Sequence, residues 1–432
     1  MLKMKTAALA LCTALSLSLI APAGAMAETV RMWTFLNPDG TSPREVALAQ
    51  IIKEFETANP DIDIVVEPQV WDQMTPKFLA AHGNGSAPDI TWVVTDFLGD
   101  AIQSGSLADL NELFINEWPE DKKADFKDAY WDLTSVDGKQ YGIFASRNYI
   151  ALMYRPDLFA EAGIKPENIK TWDDLKGAAE KLTVKGSDGN VTRYGFSAAY
   201  SEQQADPHPL IPHVLGAGDD LYTEDGAANF ASESAVKGMT FYTDMIKEGV
   251  SPSQAATWTV DDALEQFASD RVAMIQGAAV RVSTMQAKLG KDKVSLMQWP
   301  GSGDGSHSPA VMAGWSVGIW SGSEVKEAAS KFMDFMMSDP GDRIWAEVGG
   351  QIPGKKSTLE ELNEFISQPG NEYLAVAARG AAEAGWLTPI DFSVGGYRQA
   401  LNRATQQIIV DGKDVKAALT EAGEHFNRQN GR

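Results

Sequence analysis

Hydrophobic and polar residues follow two different periodicities in the first part of the chain. Residues 29–35, TVRMWTF, form a short apolar-rich run, which predicts a β-strand. In the segment that follows, apolar residues recur every three or four positions, at Leu48, Ile51, Ile52 and Phe55. That spacing places them on one face, so we predict a helix with a buried stripe.

Both ends of this helix are marked in the sequence. Ser42 is a suitable N-cap, Pro43 fits the first helical position, and Glu45 completes a capping box with Ser42. Asn59 and Pro60 are residues at which a helix stops. The predicted helix therefore begins after Ser42 and ends before Pro60.

The alternation of strands and helices continues to the end of the chain. Further strands are predicted at residues 62–66, 89–94, 149–154, 194–198, 272–276 and 315–320. One further helix is predicted to end at residues 78–82. Other helices are predicted at 156–162, 171–182, 236–247, 260–268, 324–337 and 415–426. This order favours the α/β class, with a mostly parallel sheet flanked by helices. Ligands of such sheets bind beyond the carboxyl ends of the strands, in the loops that follow Phe35, Val94, Ala198 and Gln276.

The first 27 residues indicate the cellular compartment in which the protein works. A cationic start at residues 1–5 precedes an apolar run from Thr6 to Ile20, and Ala25 to Ala27 forms a small-x-small end. About 15 apolar residues are too few for a bilayer span, which needs roughly 20, and are typical of a cleavable signal peptide. We expect cleavage after Ala27, no lipid anchor, and a soluble mature protein in the periplasm that begins at Glu28.

Composition and charge narrow the range of molecules that the protein could bind. The formal net charge is −22, and an acidic surface argues against nucleic acid and anionic lipid, which call for clustered Lys and Arg. The single cysteine, Cys12, lies in the leader, so the mature chain is expected to fold without disulfides. The histidines do not have the spacing of zinc ligands. We predict no metal and no cofactor.

An enzyme stays open as the alternative from another class. The segment 314–318, GWSVG, fits the G-x-S-x-G pattern, but Ser316 lies inside an apolar run rather than at a turn before a helix. Carboxylates are plentiful, and counting them cannot exclude the acid/base pair of a glycosidase. We predict that the chain is not an enzyme and assign no catalytic residue, with a periplasmic carbohydrate-active hydrolase as the alternative.

Tryptophan is the unusual component of the sequence. The chain has 12, and those that flank turns among polar residues are Trp71, Trp258, Trp299, Trp315 and Trp386. An indole face packs against the C–H face of a sugar, while Asp, Asn, Gln and Arg side chains bind its hydroxyls. Packing in the core is the alternative role for each of these tryptophans. Aromatic faces beside a few converging polar groups in a cleft are what a carbohydrate site requires.

Three stretches, taken together, resemble the family 1 extracellular solute-binding proteins of ABC importers, the group similar to maltose-binding protein. The first contains Ala87-Pro-Asp-Ile, Thr95-Asp96 and QSGSLADL at 103–110. The second contains Tyr141-Gly-Ile-Phe, Leu152-Met-Tyr154 and Thr171-Trp-Asp-Asp-Leu175. The third contains FASDRVAMIQG at 267–277, AGWSVGI at 313–319 and GGQIP at 349–353. The stretches occur in the family's order over the whole mature chain.

The resemblance implies a two-lobed periplasmic-binding-protein fold of the type II-like kind. Two α/β lobes would be joined by crossing segments and would close over a ligand in the cleft between them. We expect residues 28–146 and about 317–365 in the N-terminal lobe, and residues 147–316 and about 366–432 in the C-terminal lobe. The expected partners are a small-molecule carbohydrate and the membrane permease of the transporter, with the binding protein itself a monomer.

The resemblance also implies which residues line the cleft. Asp96, after the third strand, matches the family's hydroxyl-binding aspartate. Together with the loop and tryptophan arguments, the expected ligand-binding set is Asn37, Trp71, Asp96, Arg147, Asn148, Tyr200, Trp258, Gly277, Gly314, Trp315, Tyr397 and Arg398.

One departure from the family pattern and three arginines bear on the ligand. Residues 277–279, GAA, lack the tryptophan that members often carry there, which argues against a long maltose-like stacking site. Arg147, Arg281 and Arg398 would suit an anion. A mono- or oligosaccharide or a polyol is the favoured ligand, and a glycerophosphodiester or an anionic sugar is the alternative.

Overall fold

The computed structural model describes residues 27–126, 128–203, 206–301, 306–390 and 394–432. The predicted leader, apart from Ala27, lies outside the described residues. Among those residues, no helix combines the length and the apolar character that a membrane crossing requires.

Strands and helices alternate as predicted through the first half of the chain. The strands are β1 Glu28–Thr34, β2 Ile62–Pro68, β3 Ile90–Val94, β4 Ser135–Val136, β5 Lys139–Gln140, β6 Ile143–Tyr154, β7 Val184–Lys185, β8 Val191–Ser197, β9 Val272–Ala278, β10 Ser295–Met297, β11 Ala310–Ile319 and β12 Gly385–Leu387. Short single-turn helical segments lie between some of these elements, and one of them, Thr95–Phe97, contains Asp96.

The described residues contain 19 α-helices, which are distributed along the whole of the described chain. They are α1 Pro43–Ala58, α2 Met74–Gly83, α3 Leu98–Gln103, α4 Leu110–Leu113, α5 Glu120–Phe126, α6 Ala129–Leu133, α7 Pro156–Glu161, α8 Trp172–Leu182, α9 Ile211–Gly216, α10 Glu233–Lys247, α11 Val260–Ala268, α12 Val282–Leu289, α13 Lys326–Met336, α14 Asp339–Glu347, α15 Lys356–Glu361, α16 Asn363–Ile366, α17 Glu372–Ala384, α18 Tyr397–Asp411 and α19 Val415–Gln429. The sequence patterns did not predict α14, α17 or α18.

Helices begin where the capping residues predict. Ser42 donates from its backbone N and its Oγ to the Glu45 carboxylate, at 3.0 and 2.7 Å, at the start of α1. Thr171 and Asp174 make the reciprocal bonds of a capping box at the start of α8, at 2.9 and 3.0 Å. These bonds satisfy backbone N–H groups that have no partner inside the helix.

Along its main strand order, the sheet has parallel pairs only toward its two sides, while β12, which lies off this order, pairs parallel with β11. Its order is β2-β1-β3-β11-β6-β9-β8-β7, with β1 parallel to β2 and β3, and β8 parallel to β9. In the middle, β11 is antiparallel to both β3 and β6, and β6 is antiparallel to β9. The expectation of a mostly parallel sheet is therefore wrong at the centre, because β6 and β11 are long strands that traverse the molecule in opposite directions.

Two hydrophobic cores share this sheet. One contains buried residues between Val30 and Ala145 and between Met312 and Trp345. The other contains buried residues between Tyr149 and Val311 and between Ala346 and Phe426. The chain therefore passes from one core to the other within β6, within β11 and near the end of α14, which gives the two-lobed arrangement its crossing segments.

Candidate functional site

A cavity of about 390 Å³ lies where the two cores meet. The first core and its loops supply Phe35, Arg44, Trp71, Val94 and Asp96, and the crossing strands supply Ser146, Asn148, Ala313, Gly314 and Trp315. The second core supplies Asp206, Pro207, Asp261, Leu264, Glu265, Val280, Arg281, Thr284, Met285, Lys288 and Arg398. An adjoining cavity of about 370 Å³ shares Trp71, Asp96, Trp315 and Arg398 and adds Tyr397.

Aromatic rings form one wall of the cavity. The centroids of Phe35 and Trp315 lie 4.9 Å apart, with the rings tilted at 45°. The ring of Trp92, buried in the first core, packs against Phe35 with 5.7 Å between centroids and an angle of 88° between the ring planes. Trp71 is half-buried and packs against both cores. The rings are thus held by packing and present apolar faces to the cavity, as a stacking surface requires.

The crossing strands meet unusually closely at Gly314. Its φ is +150°, and a Cβ at this position would lie 2.0 Å from the backbone O of Ser146. Thr95, at the end of β3, donates a 2.9 Å hydrogen bond from Oγ1 to the carbonyl of Gly314. A side chain at Gly314 would therefore force β11 away from β6 and displace the neighbouring Trp315.

The polar groups of the cavity are largely arranged as ion pairs. Asp96 pairs with Arg398, which joins the loop after β3 to the start of α18. Lys288 pairs with Glu265 at 2.8 Å. Burial opposes the charge of Arg398, but Asp96 outweighs it and raises the pKa of the guanidinium above its ordinary value. The guanidinium of Arg398 is therefore charged at neutral pH.

Arg281 lies between two carboxylates of the second core. Its Nη2 is 3.5 Å from Asp206, and its Nη1 is 3.8 Å from Asp261. The other carboxylate oxygen of Asp206 is buried and has no hydrogen-bond partner among the described residues. These loose contacts leave donors and acceptors available for hydroxyl groups of a ligand.

Most of the residues expected in the cleft come together there. Six line the main cavity: Trp71, Asp96, Asn148, Gly314, Trp315 and Arg398. Tyr397 lines the adjoining cavity, although its side chain is almost wholly buried. Asn148 also accepts a 3.5 Å hydrogen bond from the backbone N of Val280, which orients its amide at the cavity wall.

Five expected residues do not line either of these two cavities. Arg147 points to the opposite side of β6 from Asn148 and pairs with Asp128. Gly277 lies within β9 opposite Ala151, and Tyr200 is buried in the second core. Trp258 lines a separate cavity of about 290 Å³.

The fifth of these residues, Asn37, is exposed. Its Oδ1 accepts a hydrogen bond of 3.1 Å from the backbone N of Asp39. This bond stabilises the turn that follows β1 and does not involve the cavity.

Other cavity residues were not predicted from the sequence. Among them are Phe35, Arg44, Ser146, Asp206, Asp261 and Lys288. The order of strands and helices predicted that the loop after Phe35 contributes to the site, and Asn37 was the residue chosen from it. The cavity is instead lined by Phe35 itself and by Arg44 in the first turn of α1. The sequence around Asp206 and around Asp261 contains no motif that indicates a binding site. The two residues are far apart along the chain and come together only when it folds.

Ser316 has the surroundings of a structural residue. It is fully buried in β11, and its Oγ donates a 3.3 Å hydrogen bond to the carbonyl of Val93. The strand continues to Ile319. A nucleophile elbow instead requires an exposed serine at a turn before a helix.

Comparison with known protein families shows which family the chain matches. Residues 40–343 match the model of the family described as bacterial extracellular solute-binding protein. The chain belongs to this family. The resemblance identified from the sequence is thereby confirmed, and the proteins of the family are binding proteins rather than enzymes.

Relatives of this solute-binding protein cover most of its length. The arabinooligosaccharide-binding protein of Bacillus subtilis is 24% identical over 347 residues, 76% of this chain and 73% of the relative. An ABC substrate-binding protein of Listeria monocytogenes, solved in complex with cycloalternan, superposes with a TM-score of 0.78 at 21% identity, covering 94% of this chain and 99% of that one.

A second solved structure is equally similar in fold. An ABC transporter solute-binding protein of Thermotoga lettingae, bound with α-D-tagatose, has a TM-score of 0.78 at 23% identity and covers 93% of this chain and 99% of that one. At these identities the superpositions establish the fold. They confirm the α/β fold with two lobes.

Proposed function

We propose that this chain is the substrate-binding protein of an ABC importer. It captures a carbohydrate, either a mono- or oligosaccharide or a polyol, between two closing lobes and delivers it to the membrane permease. The observation that carries this proposal is the cavity where the two cores meet, with an aromatic wall beside a set of polar side chains. Carbohydrate sites combine such apolar faces with a few converging polar groups.

The size and composition of the cavity support a small, hydroxyl-rich ligand. About 390 Å³ lies within the range of roughly 300–1,000 Å³ of small-molecule sites, and the adjoining cavity extends it. Trp71, Trp315 and Phe35 supply the faces for stacking. Asp96, Asn148 and the charged residues around them supply donors and acceptors, and we propose these residues as the binding set.

The names of the similar proteins also support a carbohydrate as the ligand. One similar protein is named for arabinooligosaccharide, and two similar structures hold cycloalternan and α-D-tagatose. These ligands belong to those proteins. For the present chain they support the carbohydrate class, while its own cavity residues decide the particular ligand.

The division into lobes is part of the proposal. We propose residues 28–146 with about 317–365 as one lobe and residues 147–316 with about 366–432 as the other. The change of core within β6 supports the first boundary, and the change within β11 lies close to the second. The change near the end of α14 comes earlier in the chain than the third boundary.

We further propose export to the periplasm as a monomer, with cleavage after Ala27. A cationic start, an apolar run and Ala25-Met26-Ala27 support this processing. Mass spectrometry of the protein recovered from the periplasm is expected to give a chain that begins at Glu28 without a lipid. An intact leader or a diacylglyceryl adduct would contradict this expectation.

A thermal-shift screen with sugars and polyols tests the proposed function. A ligand that binds only the folded protein stabilises it by about 2.7 kcal/mol when its concentration is 100 times Kd. We expect carbohydrates to raise the melting temperature, and the same sugar to be recovered unchanged after incubation. Recovery of cleaved sugar would instead favour the hydrolase. A panel that leaves the melting temperature unchanged would count against carbohydrate binding.

A further inference from the structure

Arg44 differs from the other basic residues of the cavity. Arg281, Lys288 and Arg398 each have a carboxylate within 4.0 Å. Among the described residues, Arg44 forms no such pair, and its Nε is buried without a hydrogen-bond partner. The residue as a whole is half-buried, so its guanidinium is partly shielded from water, and a partly desolvated charge gains from a partner. Arg44 therefore lacks its counterpart in the part of the chain that the structure describes.

The position of Arg44 is set by its neighbours. It lies in the first turn of α1, and its guanidinium carbon is 5.5 Å from the centroid of the Phe35 ring. Burial, with a contribution from the nearby charge of Arg281, lowers its pKa to about 10. The side chain still carries its charge at neutral pH. Its planar donors are thus held against the aromatic wall at the edge of the space that a ligand would occupy.

The nearest acidic residues are engaged elsewhere. The Glu45 carboxylate accepts hydrogen bonds from the N and Oγ of Ser42 and from the backbone N of Asn37. Asp206 and Asp261 lie against Arg281. The charge of Glu45 favours the charged form of Arg44 from a distance, but none of these carboxylates is within ion-pair distance of the guanidinium.

We infer that the ligand carries an anionic oxygen group, a carboxylate or a phosphate or sulfate ester, which binds Arg44 with Arg281 beside it. The inference rests on the proposed function and specifies its substrate class as acidic carbohydrate. A guanidinium presents parallel N–H donors that match two oxygens of a carboxylate or phosphate. A neutral hydroxyl accepts a hydrogen bond but does not compensate the charge. The sugar ring would then stack on Phe35 and Trp315.

Matched pairs of ligands test the inference by calorimetry. The pairs are galactose with galacturonate, lactose with lactobionate, and glucose with glucose 6-phosphate, and inorganic phosphate serves as the probe for an ion without a sugar. We expect at least one acidic member to bind at least about 10-fold more tightly than its neutral partner. This preference should weaken as NaCl is raised, because salt screens charge interactions. The carboxylate and phosphate pairs distinguish the two possible anions.

The variant Arg44→Gln shows whether this side chain is responsible. It is expected to weaken binding of the acidic member about 10- to 150-fold, the range of a hydrogen bond to a charged group, and to change the neutral member less than about 3-fold. Arg44→Lys should keep part of the preference. The control is Arg343→Gln, which removes a charge from the exposed pairs with Glu347 and Glu361 and should leave both affinities unchanged.

Each outcome separates this inference from the proposed function. If neutral sugars bind as tightly as their acids, or if Arg44→Gln weakens both members equally, the inference is wrong and carbohydrate binding stands. If inorganic phosphate alone binds and no sugar does, both are wrong. A melting curve for each variant establishes that the protein tested is folded.

Discussion

Replacing Asp96 by alanine is expected to weaken carbohydrate binding by about 10- to 150-fold. Asp96 lies in the turn Thr95–Phe97 directly after β3, and its side chain lines both adjoining cavities. Its carboxylate can accept hydrogen bonds from ligand hydroxyls, and a hydrogen bond to a charged group contributes about 1.5–3 kcal/mol. With 1.4 kcal/mol for each factor of ten, this gives the expected loss, to be measured by calorimetry.

The same substitution is expected to lower stability through Arg398. The Asp96 and Arg398 side chains are only 10% and 16% exposed, so removing the carboxylate leaves a largely buried guanidinium without its main partner. Breaking a buried pair in this way costs about 3–5 kcal/mol. The double variant Asp96→Ala with Arg398→Ala should lose less stability than Asp96→Ala alone, since it leaves no unpaired charge.

A matched control separates the site from the ion pair. Glu361→Ala removes one carboxylate from an exposed pair with Arg343, and such pairs contribute about 0–1 kcal/mol. It should change neither affinity nor stability appreciably. Asp96 caps no helix with its side chain, so loss of a cap does not account for the effect. Wild-type affinity in Asp96→Ala beside a lowered melting temperature would make Asp96 a purely structural residue.

Local signals predicted the helix starts well. The bonds around Ser42 and around Thr171 depend on residues within one turn, so the sequence of a few positions is sufficient to specify them. The C-terminal helix α18 carries a weaker signal: its N-terminal cap is Gly396 in the left-handed conformation, with φ of +86°, and no side chain accepts a capping bond there. A search for Ser, Thr, Asp or Asn caps therefore misses it.

The antiparallel centre of the sheet could not be predicted from local pattern. β6 and β11 pair although about 170 residues separate them along the chain, and nearly all their residues are buried. A strand that is buried on both faces has no polar alternation to reveal its direction or its partners. The family resemblance, rather than periodicity, indicated the two crossing segments.

Strand alternation explains why one of the expected site residues does not line the cavity. Arg147 and Asn148 are neighbours in β6, and successive side chains of a strand point to opposite faces. Only one of the two could face the cavity, and the structure places Asn148 there while Arg147 pairs with Asp128. The period of a strand would have shown that the two residues exclude each other, but not which of them lines the cavity.

The tryptophans show the limit of a composition argument. Trp71 and Trp315 line the cavity, whereas Trp299 is buried in the second core and donates a 2.9 Å hydrogen bond from Nε1 to the carbonyl of Ile150. All three flank turns in the sequence. What separates them is the position of those turns relative to the two cores, which is a property of the folded chain.

The second large effect expected is a loss of stability at mildly acidic pH. Two histidines are buried in the second core, where burial lowers the pKa of His208 to about 3 and, with help from Lys237, that of His213 to about 3. In the unfolded chain a histidine titrates near 6.5. Below that pH the unfolded state binds protons that the folded state does not, so the free energy of unfolding falls as pH falls from about 6.5 toward 3.

The contacts of His208 explain why protonation is resisted. Its Nδ1 accepts a 3.1 Å hydrogen bond from the backbone N of Leu210, and its Nε2 lies 2.9 Å from Oγ1 of Thr405. Since Thr405 donates to the carbonyl of Leu401, Nε2 carries the proton in this arrangement. A second proton on Nδ1 would face the N–H of Leu210. His213 is stacked on Trp172, with 3.4 Å between centroids, and its buried Nε2 has no partner among the described residues.

The size of the effect follows from the pKa values. Each histidine is expected to contribute about 2 kcal/mol to the fall in unfolding free energy between pH 7.5 and pH 5, because one pH unit below the unfolded pKa corresponds to about 1.4 kcal/mol. Chemical denaturation at a series of pH values measures this fall. His208→Asn, which keeps an acceptor for the N–H of Leu210, should reduce the fall by about 2 kcal/mol relative to the wild type, and His213→Leu should do the same.

The difference between variants isolates the two histidines, because each variant differs from the wild type at one histidine only. Val410→Ala, at an exposed position of α18 that does not titrate, is the control and should keep the wild-type dependence on pH. If His208→Asn and His213→Leu lose as much stability between pH 7.5 and 5 as the wild type does, then neither imidazole is held neutral by its burial.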